Sequence, residues 1–226
     1  MIKFIAKAFL RICGRSLQKS NVFITGSLEY LQRERTIPKT YFDYVRLSTL
    51  EMVSSQIKEQ NIPGSIAEVG VFRGDFAKFI NQYFPDRTFY LFDTFEGFDD
   101  RDIATEKNNA FSEGDQDFSN TSVEIVLKKM PNPGVCLPKK GYFPETAKDI
   151  NDRFVFVSLD TDLFAPIYEG LNFFYPRLVK GGYIFVHDFN NDAYKGARKA
   201  VEQFCAEQHV GYVPIPDICG TCIITK

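Results

Sequence analysis

The stretch Ile66-Ala67-Glu68-Val69-Gly70-Val71-Phe72-Arg73-Gly74-Asp75-Phe76 decides the fold that we expect for this chain. Its apolar run breaks at Gly70, and Gly74 follows just before an amphipathic segment, which predicts a strand, a tight turn and the start of a helix. Gly70 can adopt backbone angles that are closed to other residues, and Gly74 lets the chain pass close to a ligand while the helix amides point outward. The turn therefore predicts a nucleotide-sized cleft.

The glycine spacing in this turn differs from that of a dinucleotide-binding site. Three residues separate Gly70 from Gly74, and the Gly-x-Gly pair that receives a pyrophosphate is absent. An acidic Glu68 before the turn and bulky Phe72 and Arg73 within it suit a ligand with a sulfonium and an amino acid. A nicotinamide-dependent dehydrogenase is disfavoured, and a ligand-free α/β junction stays open as an alternative.

Length and composition indicate one soluble α/β domain. The chain has 226 residues, of which 44% are hydrophobic and 25% charged. A net charge of -2 argues against nucleic acid as a partner, because neutralising phosphates needs a basic face. The five cysteines are an odd number in a chain with no evident cleavable signal, which favours a reduced, cytoplasmic location.

The N-terminal segment, residues 1–19, has the pattern of an amphipathic helix with a basic face. Its basic residues recur every four positions opposite an apolar face: Lys3, Lys7, Arg11, Arg15 and Lys19. Such a helix could lie on an anionic membrane surface or dock onto the domain or a second subunit of a homo-oligomer; we favour docking. We expect residues 1–40 to form this helix and an arm, and residues 41–226 to form the main domain.

Periodicity along the rest of the chain predicts alternating helices and strands. Helices are expected over 41–60, 75–84, 121–130, 166–177 and 194–208, and strands over 66–69, 88–92, 135–137, 154–159 and 183–186, with the last strands in 213–226. This alternation predicts a mostly parallel sheet covered on both faces. Residues 99–120 are polar and poorly patterned, and we interpret them as a lid.

Polar residues follow the ends of the predicted strands. Ligands of such sheets bind outside the carboxyl ends of the strands, where we expect these residues to converge: Glu68, Asp93, Asp160, Asp162, His187 and Asp188. Asp93 stands about twenty residues beyond the glycine turn, where an acidic side chain accepts hydrogen bonds from ribose hydroxyls. An ordinary turn or cap aspartate is the alternative.

Two apolar strands end in the cluster of Asp160, Asp162, His187 and Asp188. Carboxylate oxygens suit Mg²⁺ or Mn²⁺, and an imidazole shifts the preference slightly towards Mn²⁺ or iron. Asp160 and Asp162 are two residues apart, so one can hold a metal while the other takes a proton as a general base. A set of helix caps and turn residues is the alternative.

Five motifs together resemble the macrocin O-methyltransferase family, over residues 40 to 204. They are EVGVFRG at 68–74, DTFEGF at 93–98, GYFPET at 141–146, LDTDLF at 159–164 and YPRLVKGGY at 175–183. The resemblance implies a Rossmann-like class I methyltransferase fold with a seven-stranded sheet. It also implies S-adenosylmethionine as cofactor, Mg²⁺ or Mn²⁺ as metal, and an acceptor hydroxyl on a sugar or glycosylated metabolite.

The resemblance also implies roles for individual residues. The cofactor would contact Glu68, Gly70, Val71, Arg73, Gly74, Asp93, Thr94 and Asp160, with Asp117 and Ser119 of the lid nearby. Asp160, His187 and Asp188 would hold the metal, and Asp162 would be the base. His187 stands where a second consecutive aspartate is common in the family. Two alternatives stay open: a metal-independent enzyme with His187 as catalytic base, and a catalytically silent cofactor-binding scaffold.

Overall fold

The computed structural model describes residues 43–226, in which helices and strands alternate. The helices are α1 (Tyr44–Glu59), α2 (Ala77–Tyr83), α3 (Asp100–Asn108), α4 (Val123–Lys129), α5 (Phe164–Arg177) and α6 (Lys195–Gln208). The strands are β1 (Ser65–Val69), β2 (Phe89–Asp93), β3 (Cys136–Lys140), β4 (Phe154–Leu159), β5 (Leu178–Val186), β6 (Val213–Ile215) and β7 (Thr221–Thr225). The predicted helix over residues 1–19 and the domain boundary at residue 40 lie outside the described residues.

The strands form one seven-stranded sheet in the order β3-β2-β1-β4-β5-β7-β6. Strands β1 to β5 pair in parallel, whereas β7 pairs antiparallel with both β5 and β6. The mostly parallel sheet that the alternation predicts is therefore confirmed, with a mixed edge. The order reverses between β1 and β4, which is the position where sheets of this type form a ligand crevice.

The core lies on both faces of the central strand β4, whose six residues are all buried. On one face Val157 and Leu159 belong to the cluster that includes the apolar residues of α5 and α6. On the other face the ring of Phe156 stacks on Phe84, just after α2, with ring centroids 5.7 Å apart. A continuous apolar run is what a parallel strand covered on both faces requires.

Three segments differ from the sequence-based expectations. Residues 99–120 contain helix α3, although their polar pattern suggested no regular element. Strand β5 begins at Leu178 and passes through Gly181-Gly182, which we expected to precede it; the register shifts there, and Gly181 has a φ of +80°. We expected residues 141–146 to form a turn that starts a further helix, but only a single 3₁₀ turn, Glu145–Ala147, follows. Within residues 43–226, no helix is long and apolar enough to cross a bilayer.

Candidate active site

The glycine turn after β1 packs directly against the end of β4. Gly70 has a φ of +84°, and a Cβ placed there would lie 2.0 Å from the backbone oxygen of Asp160. The Gly70 amide donates to the Phe92 carbonyl at 2.9 Å, and the Asp160 amide donates to the Val69 carbonyl at 2.8 Å. Only glycine fits here, because the position combines a left-handed backbone with no space for a side chain.

A cavity of about 500 Å³ opens at this edge of the sheet. Ten of the predicted site residues line it: Glu68, Gly70, Val71, Arg73, Asp93, Thr94, Asp160, Asp162, His187 and Asp188. Gly74 lies behind the turn instead, where a Cβ would meet Val126 and Met130 at 3.2 and 3.1 Å. Its small size therefore makes room for α4 and the residue that follows it.

Glu68 is buried, with 1% of its surface exposed, and its side chain lines the cavity. Its Oε2 has no hydrogen-bond partner among the described residues. Burial, followed by the nearby negative charge of Asp160, raises the pKa of Glu68 well above its ordinary value, against the opposing effects of Arg46 and Ser158. A positively charged group entering the cavity would satisfy this carboxyl group.

Asp93, the last residue of β2, fixes the loops on either side of it. Its Oδ2 accepts from the Phe72 amide at 2.8 Å, and its Oδ1 accepts from the Phe95 amide at 2.6 Å. Each carboxylate oxygen has a second lone pair that remains for a ligand hydroxyl. Thr94 donates to the Gly97 carbonyl at 2.6 Å and so closes the turn that follows.

Of the stretch Asp117-Phe118-Ser119, which we expected near the cofactor, the structure places Phe118 in the cavity. Asp117 and Ser119 are exposed, and Asp117 Oδ1 accepts from the Ser119 amide at 2.8 Å and from its hydroxyl at 2.6 Å. Phe118 between them lines the cavity, with its ring centroid 5.0 Å from those of both Phe72 and Phe98. The structure thus brings the aromatic neighbour, rather than the two polar residues, towards the ligand space.

The acidic cluster converges on one ring nitrogen. His187 Nδ1 lies 3.0 Å from Asp160 Oδ1 and 2.8 Å from Asp188 Oδ2. The second oxygen of each carboxylate is held from outside: Asp160 Oδ2 accepts from Arg46 at 2.9 Å, and Asp188 Oδ1 accepts from Asn191 at 2.8 Å. One oxygen of each aspartate and one imidazole nitrogen therefore face a common point.

Charges within the cluster shift its pKa values. Burial raises the pKa of Asp160, but the positive charges of Arg46 and His187 outweigh it and hold that pKa below its ordinary value. Burial and Arg46 lower the pKa of His187, yet Asp160 and Asp188 overcome them and raise it to about 10. Without a bound cation, the imidazole therefore carries a proton that both carboxylates share.

Asp162 is the aspartate of the cluster whose pKa shifts in the opposite direction from that of Asp160. Burial raises its pKa well above the ordinary value, and the negative charges of Asp188 and Asp160 raise it further. Its backbone is left-handed, with a φ of +59°. A carboxylate in these surroundings binds a proton more strongly than an ordinary aspartate does.

Among the cavity-lining residues that sequence reasoning missed are Arg46, Asp102, Asn191 and Tyr194. A signal existed for Arg46, because in helical spacing it shares a face with Leu50, Val53 and Ile57, which are all buried. A charge on an apolar face indicates a buried partner. The other three are polar or aromatic residues in segments without such a pattern, so no comparable signal singles them out.

Comparisons with known proteins identify similar sequences and folds. A model of the macrocin-O-methyltransferase (TylF) family matches residues 35–226. Mycinamicin III 3''-O-methyltransferase of Micromonospora griseorubida is 26% identical over 198 residues, which are 80% of this chain and 76% of that protein. A 4'-O-methyltransferase of Streptomyces olivaceus, acting on 8-demethyl-8-(2,3-dimethoxy-alpha-L-rhamnosyl)-tetracenomycin C, is 23% identical over 210 residues, 84% of this chain and 76% of that protein.

NovP and CalS11 are among the solved structures that resemble the described fold. The O-methyltransferase NovP superposes with a TM-score of 0.64 at 22% identity and covers 80% of this chain and 79% of its own. CalS11, a TDP-rhamnose 3'-O-methyltransferase of calicheamicin biosynthesis, superposes with a TM-score of 0.56 at 17% identity and covers 94% of this chain and 92% of its own. The predicted class I methyltransferase fold is confirmed.

Proposed function

Since the chain belongs to the macrocin O-methyltransferase family and is an S-adenosylmethionine-dependent O-methyltransferase, we propose that it methylates a hydroxyl of a sugar or glycosylated small molecule with the help of a divalent metal ion. The observation that carries this proposal is the cavity itself, because the glycine turn and the acidic cluster open into the same space. A relative from Streptomyces olivaceus acts on a rhamnosyl compound, which supports a sugar hydroxyl as acceptor.

The residues around the glycine turn fit the cofactor. Glu68 offers the ammonium group of the methionine part a buried oxygen that has no hydrogen-bond partner within residues 43–226. Gly70 keeps the turn free of side-chain atoms, and Asp93 has lone pairs left for the ribose hydroxyls. These three residues come from the ends of β1 and β2, so the cofactor would lie along this edge with its sulfonium towards β4.

The acidic cluster fits a divalent ion. Neighbouring ligands of an octahedral ion with bonds of 2.0–2.1 Å lie about 2.9 Å apart, and His187 Nδ1 lies 3.0 and 2.8 Å from the two carboxylate oxygens. Arg46 and Asn191 hold the outer oxygens in the way that supporting residues orient metal ligands. Two carboxylates and an imidazole suit Mn²⁺ or Mg²⁺. Such an ion would make an adjacent acceptor hydroxyl more acidic, and it would compete with the proton on Nδ1.

The chain's own residues would then bring the reactants together. Asp162 accepts the proton of the acceptor hydroxyl, and the oxygen forms a bond to the methyl carbon while the carbon–sulfur bond breaks. The bonding electrons stay on sulfur, so the products are the methyl ether and S-adenosylhomocysteine. Alignment of the two reactants and exclusion of water supply most of the rate enhancement.

We assign the base to Asp162 rather than to His187 because of the contacts of the imidazole. Its Nδ1 faces two carboxylates, so this atom would hold either the metal ion or the proton that competes with it. In either state Nδ1 has no lone pair left for the acceptor proton. Asp162 has no positively charged partner at hydrogen-bond distance among the described residues.

Calorimetry tests the proposal. S-adenosylmethionine is titrated into chelator-treated protein, and Mn²⁺ and Mg²⁺ are titrated separately. We expect both cofactor and metal to bind. Asp188→Asn should weaken the metal at least tenfold and retain the cofactor, because asparagine tolerates the φ of +59° found at Asp188. Asp192→Asn, an exposed neighbour, is the matched control.

Methyl transfer is followed in parallel by mass spectrometry, with TDP-rhamnose and rhamnosylated compounds as acceptors. Methylation that persists unchanged in chelator would remove the metal from the proposal while leaving the sugar methyltransferase. Absence of cofactor binding would overturn the assignment of the cleft.

A further inference from the structure

We propose that Asp102, a side chain of α3, binds the exocyclic amino group of the cofactor's adenine and thereby selects adenine over other purines. This inference rests on the proposed function, because it requires the cofactor to lie along the cleft as described above. It gives α3, which sequence analysis placed in a lid without regular structure, a direct part in recognising the cofactor.

The sheet order places the end of β3 at the far end of the cofactor from the reacting atoms. Glu68 and the acidic cluster stand at the ends of β1, β4 and β5, and Asp93 stands at the end of β2. The next strand outward is β3, followed by the cavity-lining residues Gly141, Tyr142 and Phe143. Three strand spacings of about 4.8 Å separate β3 from β4, roughly 14 Å. A cofactor with its sulfonium near β4 and its ribose at β2 therefore presents its base to the end of β3.

Contacts of Asp102 place it at that end. Its Oδ1 accepts a hydrogen bond from the Tyr142 hydroxyl at 2.9 Å, and Arg101, its neighbour on α3, lies over the Tyr142 ring with its guanidinium carbon 3.5 Å from the ring centroid. Two consecutive residues of α3 thus contact Tyr142, the second residue after β3.

The buried carboxyl group of Asp102 has fewer hydrogen-bond donors than a buried carboxylate needs. Its exposed fraction is 6%, it lines the cavity, and the Tyr142 hydroxyl is its one hydrogen-bond donor among the described residues. Burial, partly offset by this hydrogen bond, raises its pKa to about 6. A buried carboxylate with one neutral donor is costly unless a ligand supplies another.

Adenine supplies the missing donor. Its exocyclic amino group carries two N–H bonds, and a flat base suits a site that Phe98 and Phe143 also line. Hypoxanthine, the base of inosine, carries an oxygen at the same position and would place that oxygen against the carboxylate. Asp102 therefore favours an amino group and disfavours a carbonyl group at this point of the purine.

The test compares S-adenosylhomocysteine with its deaminated form, S-inosylhomocysteine, by calorimetry in the full chain without acceptor or metal. We expect the wild type to prefer the adenine compound by about tenfold or more, the size expected for a hydrogen bond to a charged group. Asp102→Asn should lose or reverse this preference, because the amide N–H can donate to the oxygen of hypoxanthine. Asp102→Ala should bind both compounds about equally.

Asp100→Asn, an exposed position on the same helix, is the control and should keep the wild-type preference. An unchanged preference in both Asp102 variants, with S-adenosylhomocysteine bound normally, would overturn this inference and leave the proposed function intact. If the wild type binds neither compound, the proposed function fails as well.

Discussion

At the residue scale, Asp162 and Asp188 are both held in left-handed backbone conformations, each with a φ of +59°. Aspartate and asparagine tolerate this region better than most side chains, because their short polar groups hydrogen-bond locally. The turns that present the two carboxyl groups are therefore compatible with either residue. Asparagine substitutions at these positions remove charge while keeping the turn.

For Asp162→Asn we expect cofactor affinity within about twofold of the wild type and a loss of turnover of at least about 100-fold, the usual contribution of a general base. The amide cannot accept the hydroxyl proton, although its shape is nearly the same. Steady-state kinetics and calorimetry on the same preparation measure both quantities. Turnover close to that of the wild type would remove Asp162 as the base.

Asp102→Asn should stabilise the protein at neutral pH. A folded-state pKa of about 6 lies above that of an unfolded aspartate, so the ionised carboxylate destabilises the fold, and stability is lost as pH rises from about 4 to 6. The effect amounts to at most about 3 kcal/mol. Thermal unfolding of both proteins should show the largest advantage of the variant above pH 6 and convergence below pH 4. An advantage independent of pH would contradict this.

The sequence predicted the ends of the strands better than the contacts that complete the site. Asp93, Asp160 and His187 follow apolar runs, so their position at one edge can be inferred from local patterns alone. The Arg46–Asp160 pair joins residues 114 positions apart, and only the folded chain shows which carboxylate the guanidinium meets. The same holds for the hydrogen bond between Asp102 and Tyr142, 40 positions apart.

At the element scale, α3 shows why a helix can be missed when hydrophobic periodicity in the sequence is the only guide. Its buried residues are Asp102 and Glu106, one helical turn apart, instead of the apolar residues that periodicity analysis seeks. Glu106 is fully buried; its Oε1 accepts from the Phe164 amide at 2.7 Å and its Oε2 from the Ser112 hydroxyl at 2.7 Å. A carboxylate from α3 thus satisfies the first amide of α5, whose own N-cap residue, Leu163, has no capping side chain.

Glu106→Gln should destabilise the protein by about 1–3 kcal/mol. The carboxylate accepts hydrogen bonds from two donors, and the glutamine amide would turn its own N–H donor towards one of them. Hydrogen exchange should increase in residues 100–108 and at the start of α5. Glu113→Gln, at an exposed position in the same segment, should leave both measurements unchanged. Unaltered unfolding in the Glu106 variant would show that α3 is held by other contacts.

At the scale of the whole molecule, the sheet joins two groups of residues at one point. The ends of β1, β2 and β3 carry the residues that we assign to the cofactor, and the ends of β4 and β5 carry the acidic cluster. Gly70 lies between them, against the backbone of Asp160, where the strand order reverses. A single added methyl group at this point would affect both groups of residues.

Gly70→Ala should therefore lower both the stability of the protein and its affinity for the cofactor, the affinity by at least about tenfold. Gly70 has a φ of +84°, and a Cβ placed there would lie 2.0 Å from the backbone oxygen of Asp160, so there is no room for the added methyl group. Gly134→Ala is the control, since no atom lies within 4 Å of a Cβ placed there. Thermal unfolding and titration with S-adenosylhomocysteine measure the two effects. Normal affinity in the Gly70 variant would place the cofactor away from the turn.

Helix α3 carries one carboxylate towards the proposed base pocket and another to the amide of Phe164, two residues after Asp162. An adenine held by Asp102 would steady the turn that presents Asp162, and a ligand that orders this turn would in return favour adenine. Such a linkage is reciprocal by thermodynamic necessity. Cofactor binding and the order of the turn that presents Asp162 would thus be coupled through one turn of α3. In the enzyme without cofactor, this turn would be less ordered when the acceptor binds.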